Sequence, residues 1–278
     1  MSNTIVWLAS YPKSGNTWMR AFLLNYLLDP PEPHDINHMG SLFTASTRWA
    51  FDMMAGFASA HLPSAAVDEL RPTIYRHYAA IDETLKFLKV HDAFRHTAAG
   101  DPMFPPEATR GVVYILRNPL DVAVSFAYHQ DASFEDTVWQ MNDPDAELGH
   151  IPDGIGGQFT QPLTTWSGHV TGWVDQTALP VHVVRYEDMT ADPAAAFTAV
   201  LRFVGMEVDS ARLEKAVRFS SFRELRQQEE KKAFVERPST GNFFRKGVVG
   251  SGKSELSPEL IAQIHADHAA VMARFGYG

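Results

Sequence analysis

The run from Ile5 to Leu28 constrains this chain more than any other stretch. Thr4 to Leu8 is a short apolar segment with β-branched residues, the pattern of a buried strand. Pro12 and Gly15 then punctuate the chain. From Thr17 onward Trp18, Met19, Ala21, Phe22, Leu23, Leu24 and Leu27 predict an apolar helix. A loop between a strand and a helix start gathers backbone N–H groups that point one way. The positive end of the helix dipole lies behind them, so such a loop favours an anion, usually a phosphate. Lys13, Ser14, Asn16 and Thr17 add side-chain donors around it.

At 278 residues the chain can bury a full core as one large domain or two small ones. The formal net charge of −9 argues against a general nucleic-acid binder, so any anion site has to be a local basic pocket. Cysteine is absent, which excludes disulfides and thiolate metal sites. No apolar run is long enough for a membrane span. Met1-Ser2-Asn3-Thr4 leads directly into the first strand and leaves no room for a signal peptide, so a soluble, cytoplasmic protein is expected.

Three more strands are predicted. Leu85 to Val90 ends in His91-Asp92, Gly111 to Leu116 stops at Arg117-Asn118-Pro119, and Val181 to Tyr186 is followed by Glu187-Asp188. Asn118 suits an N-cap, Pro119 the first helical position and Asp121 the first turn, so a helix should run toward His129. Further helices are expected over Thr165–Asp175, from Asp192-Pro193 to Gly205, from near Asp209, and from Ser257-Pro258 to Gly276. Strands alternating with helices predict an α/β fold with a central parallel sheet covered on both faces.

Three stretches read less regularly. Residues 41–60 carry Phe43, Trp49, Phe51, Met53, Met54 and Phe57, which suits either a core-packing helix or a lid over an apolar pocket. Residues 141–162 are rich in Gly, Pro and Asp and read as a long surface loop. Residues 223–254 are charged and punctuated by glycine.

The Lys13 loop is not a Walker A loop. That motif places a Gly-Lys pair before Ser or Thr, the hydroxyl serving magnesium, whereas Lys13 comes two residues before Gly15. The string Tyr11-Pro12-Lys13-Ser14-Gly15-Asn16-Thr17-Trp18 resembles the 5′-phosphosulfate loop of the sulfotransferases that use 3′-phosphoadenosine-5′-phosphosulfate (PAPS). Asn16 stands where the usual form has Thr, a form closer to bacterial variants than to animal ones. Leu88-Lys89-Val90-His91 resembles the strand end that carries the family's catalytic histidine, and Tyr114 to Ser125 its 3′-phosphate motif. Trp166 to Asp175 and Arg185 to Met189 match regions outside the chemistry. Phe244-Arg245-Lys246-Gly247 to Gly250 resembles the lid. The tryptophan that usually follows the lid's second glycine is missing; Ser251-Gly252 stands there instead. No stretch matches the short dimer motif of the animal enzymes, which leaves the oligomeric state open.

The resemblance implies a single sulfotransferase domain over residues 1–278, with a three-layer, P-loop-like α/β fold and a central parallel sheet flanked by helices. It implies transfer of a sulfonyl group from PAPS to a hydroxyl or amine of a small-molecule acceptor, with the bisphosphate PAP as product and no metal required. Lys13 would stabilise the leaving phosphate, His91 would act as general base, and Lys89 would orient the sulfonate. Ser14, Gly15, Asn16 and Thr17 would hold the 5′ group; Arg117 and Ser125, with Arg245, Lys246 and Gly247 of the lid, would hold the 3′-phosphate. Trp18, Tyr186 and Phe222 are candidates to line the adenine and Ser220 to hydrogen-bond it, with core packing as the competing assignment. Residues 30–80 and 141–164 are the candidate acceptor regions, and an aromatic or apolar acceptor would suit the first of them. A P-loop nucleotide kinase and a non-catalytic nucleotide-binding module are the alternatives; the kinase lacks a magnesium ligand after the lysine loop, and the module would have no need of both Lys13 and His91.

Overall fold

A computed structural model describes residues 3–40, 42–151 and 155–278. Ser41, which heads the aromatic-rich stretch, and Pro152, Asp153 and Gly154 of the long loop lie outside the described residues, as do Met1 and Ser2. In chain order the elements are β1 (Ile5–Ala9), α1 (Asn16–Leu28), α2 (Arg48–Ala55), α3 (Ser64–Ala79), β2 (Lys86–Val90), β3 (Thr109–Leu116), α4 (Pro119–Gln130) and α5 (Phe134–Met141). There follow β4 (Glu147–Leu148), β5 (Gln161–Pro162), α6 (Trp166–Val174), β6 (Val181–Arg185), α7 (Tyr186–Ala191) and α8 (Pro193–Phe203). The last are α9 (Ser210–Phe219), α10 (Phe222–Lys231), α11 (Gly252–Glu255) and α12 (Pro258–Arg274).

The chain divides into two compact units, one of residues 1–11, 41–114 and 143–183, the other of residues 12–40, 115–142 and 184–278. The four predicted strands form one sheet in the order β2-β1-β3-β6. β1 is central. It pairs in parallel with β2, from Ile5 opposite Lys86 to Ala9 opposite Val90, and in parallel with β3. All five β1 residues are buried, which is why the strand reads as a continuous apolar run without alternation. Trp7 packs edge-on against Tyr75 and Phe104, at 4.9 and 5.1 Å between centroids, and donates from Nε1 to Thr109 Oγ1 at 2.9 Å. Burial of an indole without that partner would leave a costly orphan donor.

In the second unit α1 stacks Phe22 on Phe197 of α8, with centroids 3.9 Å apart and planes at 5°. The predicted caps are formed: Asn118 Oδ1 accepts from Leu120 N, Asp192 Oδ1 from Ala195 N and Ser257 Oγ from Leu260 N.

Several expectations are corrected. The 41–60 stretch is α-helical over α2 and begins a 3₁₀ turn at Ser59. In α2 Phe51 is buried while Trp49 and Met53 are exposed, and Phe57 just beyond the helix is exposed too, so the stretch is not simply a core helix. The 141–162 loop contains the paired strands β4 and β5. The 16-residue α3 was not expected; nor was α10, which occupies the start of the charged, glycine-punctuated segment.

Candidate active site

In the second unit the anion loop turns on two left-handed residues, Lys13 at φ 65° and Gly15 at φ 111°. Gly15 is needed twice over. Its φ disfavours a side chain, and a Cβ there would lie 2.8 Å from Tyr186 Cδ2. Gly15 is also the N-cap of α1, with no side-chain cap and no acidic residue in the first turn. The helix dipole at this end is therefore not neutralised from within the helix. Ser14 Oγ and Trp18 Nε1 are buried without a hydrogen-bond partner. Buried polar atoms are rarely left so, which suits a ligand with acceptor oxygens at this loop.

Arg117, at the end of β3, ties the loop to its surroundings. Its guanidinium donates to Lys13 O at 3.1 Å and to Val248 O at 3.3 Å, and stacks 4.2 Å from the Tyr186 ring. Arg117 Nε remains buried without a partner. Asp121 Oδ2 lies 3.9 Å from Arg117 and accepts from Gly250 N at 2.8 Å; Asp121 Oδ1 accepts from Gly252 N at 2.8 Å. Ser125 is one helical turn beyond Asp121 on the same face of α4, half-buried. Asp121 is thus an anchor between Arg117 and the Gly250–Gly252 backbone.

Tyr186 is a wall of this loop. It is packed under Gly15 and edge-on to Trp18 at 5.7 Å. Burial raises its hydroxyl pKa above the ordinary value; neighbouring Asp121 and Glu187 push it the same way and Arg117 opposes them. Ser220 is fully buried, and its hydroxyl donates to Ala216 O at 2.8 Å at the end of α9. Phe222 is half-buried beneath the lid. Gly247 has φ 63°, and a Cβ on it would come within 2.2 Å of the Phe222 ring.

The lid's cations have intramolecular partners. Arg245 makes a two-pronged pair with Glu255 at 2.9 and 3.0 Å, and Lys246 reaches the same carboxylate at 2.9 Å. Burial pushes the Glu255 carboxyl up, but the hydrogen bonds from Arg245 and Lys246 outweigh it and hold the pKa below the usual range. Upstream, buried Glu229 accepts from the amides of Phe243 and Phe244 at 2.7 and 2.9 Å. The Lys13 ammonium lies over the Phe243 ring, 3.5 Å from its centroid. At Gly252, in the region where the tryptophan is missing, a Cβ would fall 2.4 Å from the Leu120 backbone, so this packing admits no side chain there.

In the first unit β2 ends at Val90, and His91 is 7% exposed. Its Nδ1 lies 2.8 Å from Ser10 O. A carbonyl can only accept, so Nδ1 carries the proton and Nε2 is the basic nitrogen. Lys89 is held through its backbone, with its N–H on Phe43 O at 3.0 Å and its carbonyl accepting from Ala45 N at 2.8 Å. Lys89 and His91, two apart, fall on the same side of the strand. The sequence reading missed the buried pair beside them: Arg71 donates to both carboxylate oxygens of Asp92, at 2.7 and 3.0 Å, and both side chains are fully buried. It also missed the pair formed in the second unit by Arg20 and Glu236, at 2.7 and 2.9 Å. Neither was legible, because each joins residues far apart in the chain. Among the described residues no group of three or more His, Asp or Glu side chains could hold a metal ion.

The sequence profile of the sulfotransferase domain family matches residues 3–276. Cytosolic sulfotransferase 10 of Arabidopsis thaliana is 28% identical over 276 residues, covering 94% of this chain and 76% of the relative. Flavonol 3-sulfotransferase of Flaveria bidentis is 25% identical, with 93% and 78% covered. Among solved structures, a mouse sulfotransferase complexed with PAP aligns with a TM-score of 0.60 at 19% identity, over 98% of this chain and 86% of that one. Retinol dehydratase in complex with androsterone and the inactive cofactor PAP aligns at 0.62 and 17%, over 98% and 81%. The fold is that of these proteins, α/β with a central parallel sheet flanked by helices. The chain belongs to the sulfotransferase domain family and is a transferase enzyme of that class, which sets aside the kinase and the non-catalytic module.

Proposed function

We propose that this enzyme, acting as one functional domain in the cytoplasm, transfers the sulfonyl group of PAPS to a hydroxyl (or amine) of a small-molecule acceptor and releases PAP. The observation that carries this reading is the uncapped start of α1, with its left-handed loop, the buried unpartnered Ser14 Oγ and Trp18 Nε1, and Arg117 bound to the loop's own backbone. The PAP-bound relatives support the choice of donor.

The donor supplies an SO₃ group on a phosphate that leaves. Negative charge grows on the bridging oxygen as the S–O bond breaks, and the Lys13 ammonium with the loop amides stabilises it. Ser14, Gly15, Asn16 and Thr17 hold the 5′ side, and Trp18, Tyr186 and Phe222 line the base. Arg117, Ser125, Arg245, Lys246 and Gly247 serve the 3′-phosphate, Arg245 and Lys246 after exchanging Glu255 for it. His91 Nε2 takes the acceptor proton as the new bond to sulfur forms, and Lys89 orients the sulfonate. Exposed Trp49 of α2 and Phe57 just beyond it fit a small acceptor with apolar surface.

Calorimetry with PAP against ATP tests the reading. Tight PAP binding with weak ATP binding is expected; equal binding, or tighter ATP, overturns it. His91→Ala should bind PAP normally and lose transfer.

A further inference from the structure

We propose that His169 is a positioning residue for His91, an inference that rests on the reading of His91 as the general base. The parallel ladder stops where the base begins. Ser10 N still reaches Val90 O at 3.1 Å, but the next acceptor, Ser10 O, is taken by the His91 ring. The His91 carbonyl has likewise left the ladder, and it accepts from His169 Nε2 at 3.0 Å.

The protonation of this relay follows from its geometry. The His91 carbonyl only accepts, so His169 Nε2 carries a proton. His169 is fully buried, which disfavours its cationic form, so Nδ1 is bare. The Tyr114 hydroxyl, 2.8 Å away, therefore donates to Nδ1. The order is Tyr114 O–H to His169 Nδ1, then His169 Nε2–H to His91 O. One turn further along α6, Trp173 Nε1 donates to Asp92 O at 3.0 Å. His169 and Trp173 thus hold two successive carbonyls from one helix face. The Asp92 side chain is fixed by Arg71, and Tyr11 packs edge-on to the His169 ring at 5.5 Å. With the His91 peptide pinned, its ring keeps Nδ1–H on Ser10 O, which leaves Nε2 as the proton acceptor. A released peptide would let the ring leave Ser10 and take up the other tautomer.

The test is two-bond ¹H–¹⁵N correlation NMR on the ¹⁵N-labelled full chain, which reads imidazole tautomers without turnover. Wild-type His91 should show the Nδ1–H form. His169→Leu should raise the Nε2–H form at His91 from a minor species to at least half, with PAP affinity within twofold of wild type. His169→Gln, which restores an N–H at the Nε2 position, should return the wild-type tautomer. Should His169→Leu not fold, Tyr114→Phe removes only the hydroxyl that orients His169 and should shift the tautomer the same way. An unchanged His91 tautomer in the folded variant, or a loss in His169→Gln as large as in His169→Leu, overturns the proposal. Failure of the base reading would show differently, as full turnover by His91→Ala.

Discussion

The ammonium of Lys13 rests 3.5 Å from the centroid of the Phe243 ring, and the backbone of Phe243 is fixed by the buried carboxylate of Glu229. The residue proposed to assist the leaving phosphate is thus held by the segment that leads into the lid. A cation–π contact of this kind is worth about 0.5–2 kcal/mol. A nucleotide that recruits Lys13 has to exchange it. Phe243→Leu is expected to raise PAP affinity several-fold in calorimetry, and weaker binding would mean that the ring serves the bound state.

Glu255 plays the same part for Arg245 and Lys246. Glu255→Gln keeps the shape but removes the charge that holds both cations. PAP should bind more tightly by about 2- to 10-fold, as expected for the loss of competing part-exposed ion pairs of up to about 1 kcal/mol. The gain should shrink as salt is raised, because the pairs are screened. Titrations at two ionic strengths check both statements.

Gly15→Ala should be among the most damaging single-atom additions in the chain. The new Cβ meets Tyr186 at 2.8 Å in a backbone conformation at φ 111°. A loss of about 1–3 kcal/mol in urea unfolding is expected, with PAP binding lost together with it.

Lys13→Ala should separate binding from chemistry. Removing one preorganised positive group from a developing oxyanion costs about 10²–10³ in kcat. PAP affinity should fall much less, since the backbone donors and Arg117 remain. Steady-state kinetics with a screened acceptor, beside calorimetry with PAP, measures the two effects; parallel losses would make Lys13 a binding residue only.

His169 also makes stability depend on pH. Burial lowers its pKa from 6.5 to about 4, so it stays neutral in the folded chain while the unfolded chain takes up a proton below pH 6.5. The unfolded state then binds more protons, and stability falls as the pH drops from 6.5 toward 4. At pH 5 the loss is about 2 kcal/mol from this residue alone. His268, lowered to about 4 chiefly by burial, adds a loss of the same sign. Urea midpoints at pH 7 and pH 5 give the slope, and His169→Gln should flatten it.

Local signals were legible wherever neighbours in the chain decide the structure. The four strands, the caps at Asn118, Asp192 and Ser257, and the loop from Lys13 to Thr17 could all be read from apolar runs and turn chemistry. The helix α3 was hidden because Pro72 lies in its middle, where a proline argues against a helix. The helix α10 was hidden because its charges outweigh its apolar face; only Leu225 and Glu229 are buried.

By itself the sequence determined the local frame of the candidate site: a strand-to-helix loop suited to an anion, an arginine at a second helix start, and a histidine at a strand end. Backbone conformation and residue chemistry act over a few positions, so spacing suffices to specify them. The tertiary structure alone decided what these groups touch. It showed the Lys13 ammonium on Phe243, Arg245 and Lys246 on Glu255, and the His91 peptide held by His169. These partners lie 9 to 230 residues away along the chain, at distances where packing, not local propensity, brings groups together.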